Sequence, residues 1–271
     1  MKLLFLLLSC LYLFPLQAQV TTFQHPWQNA RVAYFGDSVT DPNVSTGPNN
    51  NHYWSYLQSW LGITPLVYAV NGRQWDDIPR QTDQLFKDHH LNFDAILIFI
   101  GTNDFNSGLP IGEFYHETTE KVWASTGEPK AYVARKRRVP VMTNDTYCGR
   151  INIALHKIKS LYPEKQVVLL TPIHRGYASF GERNIQPDES YQNKSGHYLD
   201  EYIEATRRAG EVWSVPVIDL ANLCGLVPQN VNLSQYFKNK DTDQLHPNEA
   251  GHERMARTLM YQLLTLPCRL R

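Results

Sequence analysis

Five short runs of apolar, strand-favouring residues set the limits on what this chain can fold into. They are Val32 to Phe35, Pro65 to Val70, Ala95 to Ile100, Gln166 to Leu170 and Val215 to Ile218. They are continuously apolar rather than alternating, which is the pattern of strands covered on both faces. Helical patterns lie between them. His52 to Leu61 carries apolar residues at Tyr53, Trp54, Leu57, Trp60 and Leu61. Asp76 to His89 opens on acidic residues, as a helix N-terminus prefers. Thr146 to Pro163 places Ile151, Ile153, Leu155, Ile158 and Leu161 on a stripe and stops at proline. Tyr198 to Trp213 and Asn248 to Leu264 complete the set. Strands alternating with helices require crossovers, hence a parallel sheet with helices on both faces. The expected class is α/β, in three α/β/α layers.

Two stretches break this rhythm, Phe105 to Asp145 and Ile173 to His197. Each is longer than an ordinary connection and follows a strand end. Open α/β sheets bind ligands at the carboxyl edge of their strands, and long loops there shape the site. We therefore expect two insertions, at about 105–145 and 173–197, around a binding site. No repeat, low-complexity tract or linker divides the chain.

Met1 and Lys2 precede an almost wholly apolar run, Leu3 to Leu16, and "LQAQV" has the small-residue character of a cleavage site. Residues 1–18 read as a secretory signal, cut after Ala18, leaving 19–271 as a single domain, secreted or periplasmic. The run is short for a membrane span, so no stable membrane insertion of the mature chain is expected. "LLSC" leaves a second reading, a lipid anchor through Cys10. Cys148, Cys224 and Cys268 are too few for a disulfide framework, and no bridge to Cys268 is expected. No Cys/His spacing suits a structural zinc, and His89-His90 reads as an exposed helix end. Lys and Arg together number 26, as do Asp and Glu. Nothing global therefore suggests nucleic acid. The one basic run, Arg135 to Arg138, is either a solvated face or a contact with an acidic substrate.

The first apolar run stops at Gly36, Asp37 and Ser38. These are turn residues, and they are equally what a nucleophile at a sheet edge would need. The second run is followed by Asn71-Gly72, and the third by Gly101, Thr102, Asn103 and Asp104. Just before the last helix pattern comes "DTDQLHPNEAGH", with Asp243 and, three residues later, His246. With "FGDSVT", "VNGRQWDDI", "IGTNDF" and "DTDQLHPNEAGH" in this order, the chain resembles the SGNH hydrolases, also called GDSL esterases. Val39 stands where the family name has Leu, a conservative apolar change.

The resemblance implies a flavodoxin-like five-stranded parallel sheet and a serine esterase. Ser38 would be the nucleophile, His246 its base and Asp243 the group that orients His246. Ser38, Gly72 and Asn103 would form the oxyanion hole. The residues themselves leave other roles open. Gly72 also suits a plain turn, Asn103 and Asp243 suit helix caps, and His252 is a rival base inside the last helix. Asp37 and Asp104 are expected to fix the strand-end loops. Trp123, His174, Arg175 and Tyr177, with Tyr132, Tyr191 and Asn193, give the insertions an aromatic and polar character. That suits sugars better than acyl chains. The expected substrate is a small-molecule or glycan ester, with an acetyl-type carbohydrate ester favoured. No metal or organic cofactor is implied. A lipid esterase or thioesterase of the same family is the alternative, and a non-catalytic carbohydrate-binding protein is the alternative of another class.

Overall fold

The computed structural model of the chain describes residues 25–124 and 131–266. The signal-like segment, Cys10 and Cys268 lie outside the described residues. In chain order the elements begin with β1 (Arg31–Gly36), α1 (Tyr53–Leu61), β2 (Thr64–Val67), α2 (Ile78–His89), β3 (Ala95–Phe99) and α3 (Thr102–Ser107). There follow β4 (Tyr115–Ala124), β5 (Ala131–Pro140), α4 (Tyr147–Leu161) and β6 (Gln166–Leu170). The chain continues through β7 (Ala178–Ser179), β8 (Ile185–Gln186), α5 (Leu199–Trp213), β9 (Val217–Ile218) and α6 (Leu220–Leu223). It ends in β10 (Phe237–Asn239), β11 (Asp243–Pro247) and α7 (Glu249–Thr265).

The five apolar runs form one all-parallel sheet in the order β2-β1-β3-β6-β9. Its strands are apolar throughout because each face packs on helices. Along β3, Ile96 and Ile98 face one core with Leu85, Ile151, Leu155 and Tyr202 of α2, α4 and α5. Ala95, Leu97 and Phe99 face the other, with Tyr53, Leu57, Met255 and Leu259 of α1 and α7. The period of two along a strand thus feeds two separate cores, giving the three layers. β2 is shorter than its apolar run, but Tyr68 and Val70 still donate to the carbonyls of Tyr34 and Gly36. The second run therefore follows β1 to its end. β9 is only two residues long, since Pro216 has no N–H to add to the ladder.

The two insertions behave differently. The first contains α3 and then an antiparallel two-stranded arm, β4 with β5, paired from Tyr115↔Pro140 to Ala124↔Ala131. Its base is clamped by the buried Asn152, whose amide donates to the carbonyls of Phe114 (2.8 Å) and Val141 (2.9 Å). The second insertion supplies β7 and β8 to a small sheet, β10-β11-β7-β8. In it Ala178 lies opposite Asp243. Among the described residues no helix is long and apolar enough to cross a membrane.

Candidate active site

β1 delivers Ser38 to the carboxyl edge of the sheet by way of a glycine that cannot be replaced without movement. A Cβ on Gly36 would stand 2.5 Å from the Phe99 carbonyl oxygen and 2.8 Å from Thr40 Oγ1. The Gly36 peptide is held on both sides by the buried Gln81, which accepts from its N–H and donates to its carbonyl, each at 2.9 Å. Thr40 and Asp41 N–H then close a turn on the Asp37 carbonyl. Ser38 sits in this turn.

His246 lies on β11, the extended segment before α7. Its Nε2 is 2.9 Å from Ser38 Oγ, and its Nδ1 is 3.0 Å from both carboxylate oxygens of Asp243. In a regular strand residues three apart point to opposite faces. Here Asp243 folds back instead, its Oδ1 accepting from the backbone N–H of Leu245 (3.3 Å) and His246 (3.0 Å). Burial pushes the Asp243 carboxyl up. The hydrogen bonds from His246 and the charges of His246 and Lys238 outweigh that and hold it below its ordinary value. Asp243 caps no helix, since Asn248 caps α7.

Gly72 follows as the turn residue that "NG" suggests, with φ at +76° and nothing within 4 Å of where a Cβ would be. The turn is pinned by Asp41, whose carboxylate accepts from Asn71 N–H at 2.7 Å. Asn103 is inside the first turn of α3, and the N-cap position is Gly101, so Asn103 is not a cap. Its Nδ2 donates to Arg73 O at 3.0 Å and makes a longer contact, 3.3 Å, with Asp37 Oδ2. Among the described residues neither Ser38 N–H nor Gly72 N–H has a hydrogen-bond partner. Ser38 N–H, Gly72 N–H and the Asn103 amide lie on loops that Asn103 ties together through Asp37 and Arg73. Donors grouped in this way can receive the charge of a tetrahedral oxyanion.

The two aspartates expected to fix the loops do so. Asp37 is buried and accepts from Val39 N–H, and burial raises its carboxyl to about 7. Asp104 accepts from Trp75 N–H and from Arg150, and burial likewise raises it to about 7 against the pull of Arg150. His252 is no rival base. It is fully buried, takes Tyr53 N–H on Nδ1 at 3.2 Å, and burial drives its ring well below the ordinary imidazole value.

The expected substrate-binding residues differ in exposure and in what holds them. Arg175 is 1% exposed and reaches no surface. Its guanidinium is engaged by Gln186 Oε1 at 2.7 Å and packs over the Phe105 ring. Trp123 stands near the far end of the arm, its ring against Tyr132. Eight residue steps of strand, about 26 Å along β4, separate it from Tyr115 at the base. His174 is tied at 2.7 Å to Glu189, whose other oxygen takes Arg175 N–H. Asn193 is also structural, its amide donating to Phe105 O and to the Tyr202 hydroxyl. Tyr177 is exposed and its carbonyl accepts from Gln244 N–H, which places it beside the Asp243 loop. Sequence reasoning missed Phe180, whose half-exposed ring lies 5.4 Å from the His246 ring. It also missed Gln81, although a glutamine in the apolar stripe Ile78, Thr82, Leu85 was a signal.

A groove of about 560 Å³ lies beside this edge, between Ser45–Pro48, Lys238 and the start of α7. A larger one, about 680 Å³, lies at the opposite edge between the ends of α4 and α5 and holds none of these residues. Among the described residues no group of three or more His, Cys, Asp or Glu side chains could hold a metal ion. Cys148 and Cys224 are both buried free thiols.

Known structures share this architecture. A possible lipase from Chitinophaga pinensis superposes with a TM-score of 0.62 at 21% identity, over 88% of this chain and 100% of that one. A catalytic mutant of an acetylxylan esterase from Geobacillus stearothermophilus gives 0.54 at 17% identity, over 90% and 97%. A lipase/acylhydrolase from Enterococcus faecalis gives 0.52 at 18% identity, over 89% and 97%. At such identities the likeness concerns the fold. No curated protein sequence matches the chain. The model of the GDSL-like lipase/acylhydrolase family matches residues 34–254, from β1 into α7, and the chain belongs to that family.

Proposed function

We propose that this chain is an exported serine esterase that removes acetyl-type groups from carbohydrates. The observation that carries the reading is the continuous line from Asp243 through His246 to Ser38, at 3.0 and 2.9 Å. A carboxylate on Nδ1 fixes the tautomer that leaves the Nε2 lone pair facing the serine. His246 takes the Ser38 proton as Oγ attacks the ester carbonyl. The oxyanion is received by Ser38 N–H, Gly72 N–H and the Asn103 amide. His246 then returns the proton to the departing alcohol, and a water activated by the same ring releases the acid and frees Ser38. The empty space over Gly72 is where the carbonyl would sit.

Tyr177 and Tyr191 are exposed on the second insertion, which flanks Asp243, and flat rings with hydroxyls suit sugars. The fold shared with an acetylxylan esterase makes acetylated glycans the first class to assay. A lipid-ester reading is favoured by Phe180 and Ile185, both exposed on or beside the β7–β8 hairpin next to His246. A chromogenic ester series from acetyl to dodecanoyl, below micelle-forming concentrations, separates the two. Each tolerated methylene adds only about 0.8 kcal/mol of favourable burial, so a small acyl pocket should let kcat/KM fall from acetyl to octanoyl. A maximum at medium or long chains selects the lipid reading. Mass spectrometry of the exported protein tests cleavage after Ala18 and an intact 19–271 domain.

A further inference from the structure

Arg175 is a fully buried cation, and among the described residues no carboxylate stands at ion-pair distance from its guanidinium. An unpaired buried charge is expensive. One Nη donates to Gln186 at 2.7 Å, the other is 3.5 Å from Thr102 Oγ1, and Nε has no partner. Arg175 also lines a small, narrow-mouthed pocket beside the Ser38 turn. Asp37, Val39, Thr102, Ile173 and Leu245 share its wall. Counted as space open to the centre of a water molecule, this cavity measures about 10 Å³. That is about the room one water needs. Both Arg175, whose Nε–H has no partner among the described residues, and Asp37, whose carboxylate accepts from Val39 N–H and Asn103 Nδ2, line this cavity.

We propose that one water molecule fills this cavity, accepts from Arg175 Nε–H and donates to Asp37, and that Arg175 thereby acts as a positioning residue for Asn103. The inference rests on the serine-esterase reading. Asn103 Nδ2 gives its shorter hydrogen bond to Arg73 O and its longer one to Asp37 Oδ2. The longer one is the hydrogen that an oxyanion can claim. As a carboxylate Asp37 accepts on both oxygens and holds the amide strongly, whereas the protonated acid keeps a weaker acceptor and adds a donor that competes for the amide oxygen. Burial raises Asp37 to about 7, backbone hydrogen bonds led by Val39 N–H oppose the rise, and the charge of Arg175 adds to them. Burial lowers Arg175 to about 10, against the fields of Glu189, Asp243, Asp188 and Asp37, so it is charged at neutral pH. The same charge offsets the repulsion between Asp37 and an oxyanion forming beside it.

A double-mutant cycle on a small aryl acetate tests this, with melting temperatures measured alongside. Arg175→Met should lower kcat roughly 10- to 100-fold with KM within about 2-fold. The loss should shrink to less than about 3-fold when Asn103 is already alanine. Arg175→Lys, which keeps the charge, should lie between wild type and Arg175→Met, and it carries the cycle if the methionine variant does not fold. Equal losses in both backgrounds, or none in either, would overturn the inference while leaving the esterase reading intact. Hydrolysis that does not depend on Ser38 would instead overturn the esterase reading. A high-resolution crystal structure adds a readout independent of activity. A water within hydrogen-bond distance of both Arg175 Nε and Asp37 is expected, and a dry cavity overturns the bridge.

Discussion

Around Ser38 nearly every residue is held by something remote in sequence, whereas in the β4–β5 arm the cross-strand neighbour does the holding. Gln81 grips Gly36, Asp41 grips Asn71, Asp37 and Arg73 share Asn103, and Trp54 donates to the Thr40 carbonyl. In the arm, Lys136 meets Glu117 at 2.9 Å, Arg137 meets Glu120 at 3.0 Å, and Trp123 meets Tyr132, all in exposed positions. The edge is positioned by tertiary structure. The arm is positioned by local register and by its clamped base. One substitution at the edge therefore disturbs several segments, while one in the arm disturbs a single cross-strand pair.

The largest effect expected from this contrast is at the proposed nucleophile. Ser38→Ala and His246→Ala should each lower esterase activity by roughly four orders of magnitude in a folded protein. Fluorophosphonate labelling that persists in Ser38→Ala would falsify the assignment. Asn103→Ala should come next, lowering kcat by about two to three orders of magnitude with a smaller change in KM. An unchanged kcat would reduce Asn103 to a brace between the Gly72 and Ser38 loops. Trp123→Ala, by contrast, should leave small aryl acetates untouched. A matching loss there would mean that the arm folds over the site and would end the contrast.

The parts of this site that could be read from sequence are those whose chemistry is written in consecutive residues. The five apolar runs became the five strands, and the four blocks brought Ser38, Gly72, Asn103, Asp243 and His246 to one edge. Arg175 was not readable. It lies in a polar stretch with His174, Gly176 and Tyr177, which looks like surface, and only the arrival of β7 beside β11 and the packing on Phe105 bury it. Gln186 and Gln229, which hold its guanidinium and its carbonyl, come from segments far from the four blocks. The pairing around Trp123 was not readable either: Tyr115–Ala124 and Ala131–Pro140 pair without a break and set Trp123 opposite Tyr132. Register along a ribbon with two polar faces leaves no hydrophobic alternation to read.

The contrast also makes a claim about stability, and here the differences are smallest. Gln81→Ala would strip the side-chain acceptor from the buried Gly36 N–H and leave its carbonyl with the longer hydrogen bond from Val70 N–H. An unsatisfied buried polar group costs about 1–3 kcal/mol, so the denaturation midpoint should drop clearly. Activity should fall with it, because the Ser38 turn begins at that peptide. Glu120→Gln in the arm removes an ion pair whose two side chains are 63% and 42% exposed. Water already solvates both charges, and such pairs contribute about 0–1 kcal/mol. The remaining amide can still accept from Arg137. Chemical denaturation of the two variants beside wild type is the measurement. Glu120→Gln should be indistinguishable from wild type within about 0.5 kcal/mol and should keep full activity on aryl acetates. If it is as damaging as Gln81→Ala, the arm is not held by its own pairs alone, and a contact between it and the rest of the protein must be found.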